Sequence, residues 1–168
     1  TLMIPETVTM VPNFLTVTWL HRNTPVPWLN NWLSLTVPFL TSAFSIFLLR
    51  QFMRGIPNDL WEAARIDGAG HVRFLFRIVL PLCRPPLLTV GMFTFIGSWN
   101  SLAWPLLVTN SSEWRPISVG LQQFVSEAGA EINLQMAGAV IATIPVLIVY
   151  FLIQKEFTEG ISMSGLKG

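Results

Sequence analysis

Charge is scarce in this chain of 168 residues. Asp, Glu, Lys and Arg together make up 11% of it, and lysine occurs only as Lys155 and Lys167. Soluble domains carry roughly 25% charged residues, so a soluble surface is excluded as the default and a membrane protein is expected. The net charge of +1 excludes the strongly basic surface that nucleic acid attracts. A single cysteine, Cys83, excludes an internal disulfide, and no metal-ligand spacing surrounds it; its expected role is packing. His21 and His71 are separated by a long apolar run and cannot share a metal. No Gly-x-x-x-x-Gly-Lys-Ser/Thr loop is present, which excludes ATP binding by that route. Gly160-Ile-Ser162-Met-Ser164 has a serine where a nucleophile elbow needs its second glycine. The three complete apolar runs contain no Asp, Glu, His or Cys, leaving an intramembrane enzyme as a distant alternative.

What the chain has in quantity is apolar length. Hydrophobic residues make up 52% of it. A membrane-spanning helix needs about 20 mostly apolar residues. Leu87–Val108 and Ile132–Ile153 reach that length without a charge, and Trp28–Leu49 does so with its clearest apolar part from Trp32 onward. Thr7–Leu20 is apolar but short, and is read as the distal part of a helix that starts earlier. The expectation is a polytopic all-α helical bundle forming one membrane domain. Its spans fall at about 1–20, 32–50, 87–108 and 132–153, with a loop over 51–86 and a tail over 154–168. The chain is expected to be part of a longer protein whose N-terminal spans are missing.

Arginine placement predicts orientation. Arg50, Arg54, Arg65, Arg73, Arg77 and Arg84 lie between the second and third apolar runs, and Lys155 and Lys167 follow the last. The other side has Arg22 and Arg115. Positive residues favour the cytoplasmic side, so loop 51–86 and tail 154–168 are expected there. Loops near 21–31 and 109–131 then face outward, where Glu127 and Glu131 read as solvated charges.

The loop has local structure of its own. Ile56-Pro57-Asn58-Asp59 reads as a helix start, with Pro57 in the first turn and Asp59 well placed against the dipole. Gly68 reads as the stop, because glycine tolerates a left-handed conformation. The helix between them is about eleven residues, roughly 16 Å, and its small apolar face is expected from Leu60, Ala63 and Ala64, with Trp61 at the edge. His71–Leu80 reads as a second amphipathic stretch, broken by Pro81, Pro85 and Pro86. The residues alone admit two readings of this loop: an arginine-rich connector lying on anionic lipid, or a docking element for a cytoplasmic partner.

The spacing Glu62-Ala63-Ala64, three residues, Gly68, nine residues, Ile78-x-Leu80-Pro81 resembles the full signature of inner-membrane permeases of binding-protein-dependent ABC importers. The flanks Phe47-Leu-Leu-Arg50-Gln51-Phe52, Ile56-Pro57, Trp99-Asn100 and Trp104-Pro105-Leu106 resemble the carbohydrate-uptake branch. So does the tail from Gln154 to Gly168. The resemblance implies the type I ABC importer permease fold and no enzymatic site in the chain itself. It implies a cytoplasmic ATP-binding subunit dimer that holds ATP and Mg, a second permease subunit, an extracytoplasmic solute-binding protein, and a bacterial or archaeal inner membrane. It further implies that Glu62, Ala63, Ala64, Asp67, Gly68, Ile78, Leu80 and Pro81 form the ATPase-coupling segment, and that Gly165, Leu166, Lys167 and Gly168 reach the ATPase pair. The solute it implies is a sugar or sugar-like molecule, with a glycerophosphodiester or amino sugar as the alternative. Two departures bear on the solute: Ser101 stands where relatives often have an acidic residue, and Gly160-Ile-Ser-Met-Ser164 differs from the usual tail.

One pattern lies within a span. Gly91, Thr94, Ser98 and Ser101 recur at three- and four-residue spacing, with Asn100 beside them, so they share a helix face. Such a face packs against another helix or borders a solute pathway. Gly138 and Ala142 are a weaker packing signal in the last run.

Overall fold

The computed structural model describes residues 5–126 and 132–164. Among these, every regular element is helical. The chain divides into two compact units, Thr1–Ser42 with Phe95–Ile148, and Ala43–Thr94 with Val149–Gly168.

The first unit is built on α1 (Glu6–Asn23), α2 (Trp32–Thr36) with a 3₁₀ turn over Val37–Phe39, and, after the second unit's insertion, α8 (Ala103–Val108) and α9 (Ile117–Ser126). Its small core is Val17, Trp104 and Val108, with Met10, Phe14, Trp28, Leu29 and Leu35 packed around it. Trp104 is fixed by two contacts. Its indole Nε1 donates to the Ser34 carbonyl at 2.8 Å, and its ring meets Phe39 edge-on at 5.6 Å. A buried indole N–H normally finds such an acceptor.

Asn30 ties the loops of this unit together. Its φ is 52°, the left-handed region that Asn tolerates better than most residues. From there its Oδ1 accepts the Asn110 and Ser111 backbone N–H at 2.8 and 2.9 Å and the Ser111 hydroxyl at 3.1 Å. Its own N–H donates to the Val108 carbonyl at 2.8 Å. From the last turn of α1, His21 Nδ1 accepts the N–H groups of Trp28 and Leu29 at 3.2 and 3.4 Å.

The second unit holds α3 (Ala43–Met53), α4 (Asn58–Ile66) and a continuous rod over His71–Leu82, made of α5 (His71–Phe74), a π turn (Leu75–Val79) and α6 (Leu80–Leu82). Pro81 was expected to break this rod and does not. The π turn lets the Leu80 N–H reach the Leu75 carbonyl, a longer bond that shifts the ladder just before the proline. The break falls instead at Cys83, fully buried. From there α7 (Arg84–Trp99) leaves at 76° to the rod. Pro85 and Pro86 open α7, where their missing N–H groups cost nothing. Phe44 and Phe93 meet edge-on at 5.9 Å.

The run Leu87–Val108, read from sequence as one span, is two helices. α7 ends at Trp99, and α8 begins at Ala103. Pro105 lacks the N–H that would serve the Ser101 carbonyl in a continuous helix. That carbonyl accepts the Ser118 hydroxyl at 2.6 Å instead. The long α10 (Ile132–Ser164) runs through Pro145. Its portion Ile132–Gln154, 23 residues, is the one helix among the described residues that is by itself long and apolar enough to cross a membrane, its most apolar 18-residue stretch having a mean hydropathy of 2.5. The pairs Trp32–Phe39 with Ala43–Met53 and His71–Leu82 with Arg84–Trp99 qualify only as two-piece spans. The first expected span corresponds to α1, whose threonines and Asn13 keep it less apolar.

Candidate functional site: the Glu-Ala-Ala helix and its turn

Of the sequence-predicted residues, those of the Glu-Ala-Ala segment are the best formed. α4 is nine residues long, not eleven, and Pro57 is its N-cap with φ −60° and ψ 139° rather than part of its first turn. Asp59 remains in the first turn and Arg65 in the last, the arrangement the helix dipole favours.

Its C-terminus is a complete Schellman motif. Gly68 has φ 76°. The Gly68 N–H donates to the Arg65 carbonyl at 3.0 Å, and the Ala69 N–H donates to the Ala64 carbonyl at 2.8 Å. These are the two bonds that close such an end. Asp67 is the cap residue, with φ −75° and ψ 6°, and its N–H donates to the Ala63 carbonyl at 3.1 Å. A Cβ on Gly68 would meet nothing within 4 Å, so glycine is required here by conformation and not by crowding.

The faces of α4 differ from the sequence reading. Ala63 and Ala64 do not share a surface. Ala64 is buried at 5% exposure, whereas Ala63 and Glu62 are exposed and Ile66 is 87% exposed. The periodicity of a helix puts Asp59, Glu62, Ala63 and Ile66 on one side. Trp61 lies on the opposite side, its ring 4.6 Å from His71 and 5.0 Å from Phe74. Three rings thus bind α4 to α5. The second half of the signature lies in the same rod. Ile78 and Leu80 are partly buried, Val79 between them is buried, and Pro81 is exposed. The apolar surface of Ile66 is a feature that the four-residue spacing from Glu62 could have revealed.

The span pattern is divided by the end of α7. Gly91, Thr94 and Ser98 are exposed on that helix, and a Cβ on Gly91 would meet nothing within 4 Å. Asn100 ends the helix, its Nδ2 and N–H both donating to the Ile96 carbonyl at 2.9 and 3.1 Å. Ser101 is off the helix, so three residues of the expected face, Gly91, Thr94 and Ser98, lie on α7, with Asn100 just past its end. The packing signal on α10 is clear: a Cβ on Gly138 would lie 2.5 Å from Leu121 Cδ2, and Trp99 Nε1 donates to the Ala142 carbonyl at 2.9 Å. Gly165, Leu166, Lys167 and Gly168 lie outside the described residues, as do Glu127 and Glu131.

No group of three His, Cys, Asp or Glu among the described residues could hold a metal ion. The membrane-capable part of α10 is unburied within the chain, with Val140, Ile141, Phe151 and Leu152 all at least 60% exposed. An apolar surface this extensive is stable only against lipid or other subunits.

Residues 1–162 match the family described as binding-protein-dependent transport system inner membrane component. The chain belongs to that family. It is 32% identical over 167 residues to the arabinooligosaccharides transport system permease protein AraQ of Bacillus subtilis, covering 99% of this chain and 57% of that protein. It is 37% identical over 163 residues to the sn-glycerol-3-phosphate transport system permease protein UgpE of Yersinia pestis, covering 96% of this chain and 56% of that protein. Among solved structures it is similar to a bacterial ABC transporter involved in the import of the acidic polysaccharide alginate. That match has 28% identity and a TM-score of 0.73, over 88% of this chain and 55% of that one. The chain therefore spans a little over half the length of the relatives it matches, and within that length it has the helical fold of an importer permease.

Proposed function

We propose that the protein of which this chain is a part is the permease subunit of an ATP-driven importer for a sugar or sugar-like solute. In this reading α4 is the coupling element. The single observation that carries it is the construction of that helix. One side is locked inward by Ala64 and Trp61 and the end is closed at Gly68. The side bearing Asp59, Glu62, Ala63 and Ile66 is exposed and has no partner among the described residues. A short helix anchored in this way moves as a rigid body, which is what transmitting closure of an ATPase pair requires.

The remaining assignments follow from this reading. Glu62 pairs with a basic residue of the ATPase, Ala63 and Ile66 seat in an apolar recess beside it, and Asp67 and Gly68 fix the turn. Ile78, Leu80 and Pro81 hold the rod behind α4. Gly165, Leu166, Lys167 and Gly168 extend to the ATPase pair. ATP and Mg belong to that partner, a second permease completes the pathway, and an extracytoplasmic binding protein delivers the solute. Loop 51–86 and the tail lie on the cytoplasmic side of a prokaryotic inner membrane, as the arginine distribution favours. Gly91, Thr94, Ser98 and Asn100 present small and polar groups to the pathway or to the second permease. The relatives named for arabinooligosaccharides and for sn-glycerol-3-phosphate both favour a polyhydroxylated solute, the second with a phosphate.

The test is affinity purification of the intact subunit in mild detergent, wild type beside Glu62→Arg. An ATPase should accompany wild type and be lost from the variant while membrane insertion is unchanged. Equal recovery with both proteins would refute α4 as the coupling site.

A further inference from the structure

The charges of loop 51–86 are segregated between two helices. α4 and its cap bear the acidic residues of the loop, Asp59, Glu62 and Asp67. The rod His71–Leu82 and the residue after its elbow carry Arg73, Arg77 and Arg84, all exposed, with no acidic residue among them. Trp61 sets which side of the rod meets α4, because its ring lies against His71 and Phe74. Val72 and Phe76 are four residues apart and share a side. At about 100° per residue that side is turned away from Trp61. Val72 is 71% exposed and Phe76 64%, so two large apolar side chains stand uncovered there. Arg73 and Arg77, each next in sequence to one of them, form the adjoining stripe.

The elbow at Cys83 sets the direction of the rod. α7 leaves it at 76° and has no charge from Leu87 to Trp99. With α7 in the bilayer, the rod runs close to the membrane plane, with α4 on one side of it and the pair Val72 and Phe76 on the other. A helix in that plane, with an apolar stripe flanked by arginines, has the pattern of an interfacial anchor. Arginine lays its stem along apolar surface while its head reaches the headgroups, and the anionic cytoplasmic leaflet attracts such residues. Anionic lipid supplies both complements at once, hydrocarbon for the stripe and negative charge for the guanidinium groups.

We propose that the Val72 and Phe76 side of the rod is an anchor on anionic phospholipid at the cytoplasmic surface, with Arg73 and Arg77 on the headgroups, and that this contact holds α4 at the depth where the ATPase meets it. The proposal rests on the importer reading above and adds a lipid requirement to it. Docking and lipid contact are then divided along the loop: the free side of α4 serves the ATPase, and the far side of the rod serves the membrane. Solute-stimulated ATP hydrolysis depends in consequence on the anionic fraction of the bilayer.

The test uses the intact importer, with the full-length subunit, second permease, ATPase and binding protein, in nanodiscs of phosphatidylcholine with a rising fraction of phosphatidylglycerol. A bimane label is placed on a single cysteine in place of Phe76 or of Ile66, all other cysteines having been replaced. Brominated lipid should quench the label at position 76 and leave the one at position 66 unquenched. A label at 76 that only aqueous iodide reaches marks a solvated face, and one that neither quencher reaches marks a face covered by protein. Either result overturns the proposal, as does equal lipid quenching at 66 and 76. Solute-stimulated ATP hydrolysis by wild type should rise with phosphatidylglycerol. Each arginine near an anionic surface contributes roughly fivefold to association, so Arg73→Gln with Arg77→Gln should flatten that rise. Arg73→Lys with Arg77→Lys, which keeps both charges, should preserve it. A wild type indifferent to phosphatidylglycerol, or a Gln pair that responds as wild type does, would also overturn the proposal. A wild-type assembly that holds no ATPase would refute the importer reading itself, and lipid quenching at 76 would still decide the anchor.

Discussion

Substituting Gly68 separates two reasons for having glycine there. The residue sits at φ 76°, where an L side chain costs about 1–2 kcal/mol. A Cβ would find open space within the chain, so no steric term is added. Gly68→Ala should therefore weaken the turn by that amount, roughly a 5–30-fold shift toward the opened end. Gly68→Asn should cost less, because Asn enters the left-handed region more readily, and Gly68→Val should cost more, because branching at Cβ makes it a true outlier there. The readout is amide hydrogen exchange in the intact complex, followed at Gly68 and Ala69, whose N–H groups close the turn onto Arg65 and Ala64. Protection should fall in the order Asn, Ala, Val. Unchanged protection in the Ala and Val variants would refute the conformational argument. Equal loss of ATPase association in the Asn and Val variants, with protection still graded, would mean that a partner surface fills the space beside Gly68.

Asn30→Ala removes the acceptor of three hydrogen bonds and should destabilise the first unit by about 1–3 kcal/mol, read as a lowered Tm of the purified subunit. Asn30→Asp keeps the acceptor and should retain most of that stability. Gly138→Val drives a methyl-bearing Cβ into Leu121 and should cost about 1–3 kcal/mol; Leu121→Ala should restore part of it in a double-mutant cycle. Cys83, fully buried at the elbow between α6 and α7, should resist maleimide in the folded subunit and label promptly after denaturation. Rapid labelling without denaturant would show that the elbow opens.

Legibility in the sequence tracked how local the cause was. Gly68 could be read as a helix stop because the requirement for positive φ belongs to one residue. The uncharged length of Ile132–Ile153 is equally plain. What stays hidden depends on residues other than the one being read, near or far. Pro81 looks like a break until the π turn at Leu75–Val79 is known. Pro105 was hidden inside an uncharged run, so Leu87–Val108 read as one helix, and only the Ser118 hydroxyl 17 residues away makes the interruption tolerable. Ala63 and Ala64 looked equivalent because neither position reveals which way Trp61 turns the helix. Nothing local marks Asn30, since its partners begin 80 residues further on.

The exchange at Ser101 has a wider consequence. A chain that stops being helical away from bulk water must bring its own replacement for hydration, because every stranded carbonyl is paid for in full. Here a single serine hydroxyl fills that role. The break between α7 and α8 is therefore a tethered joint rather than a loose one: its position is set by a side chain on another helix, and a movement of α9 would be felt first at the end of α7.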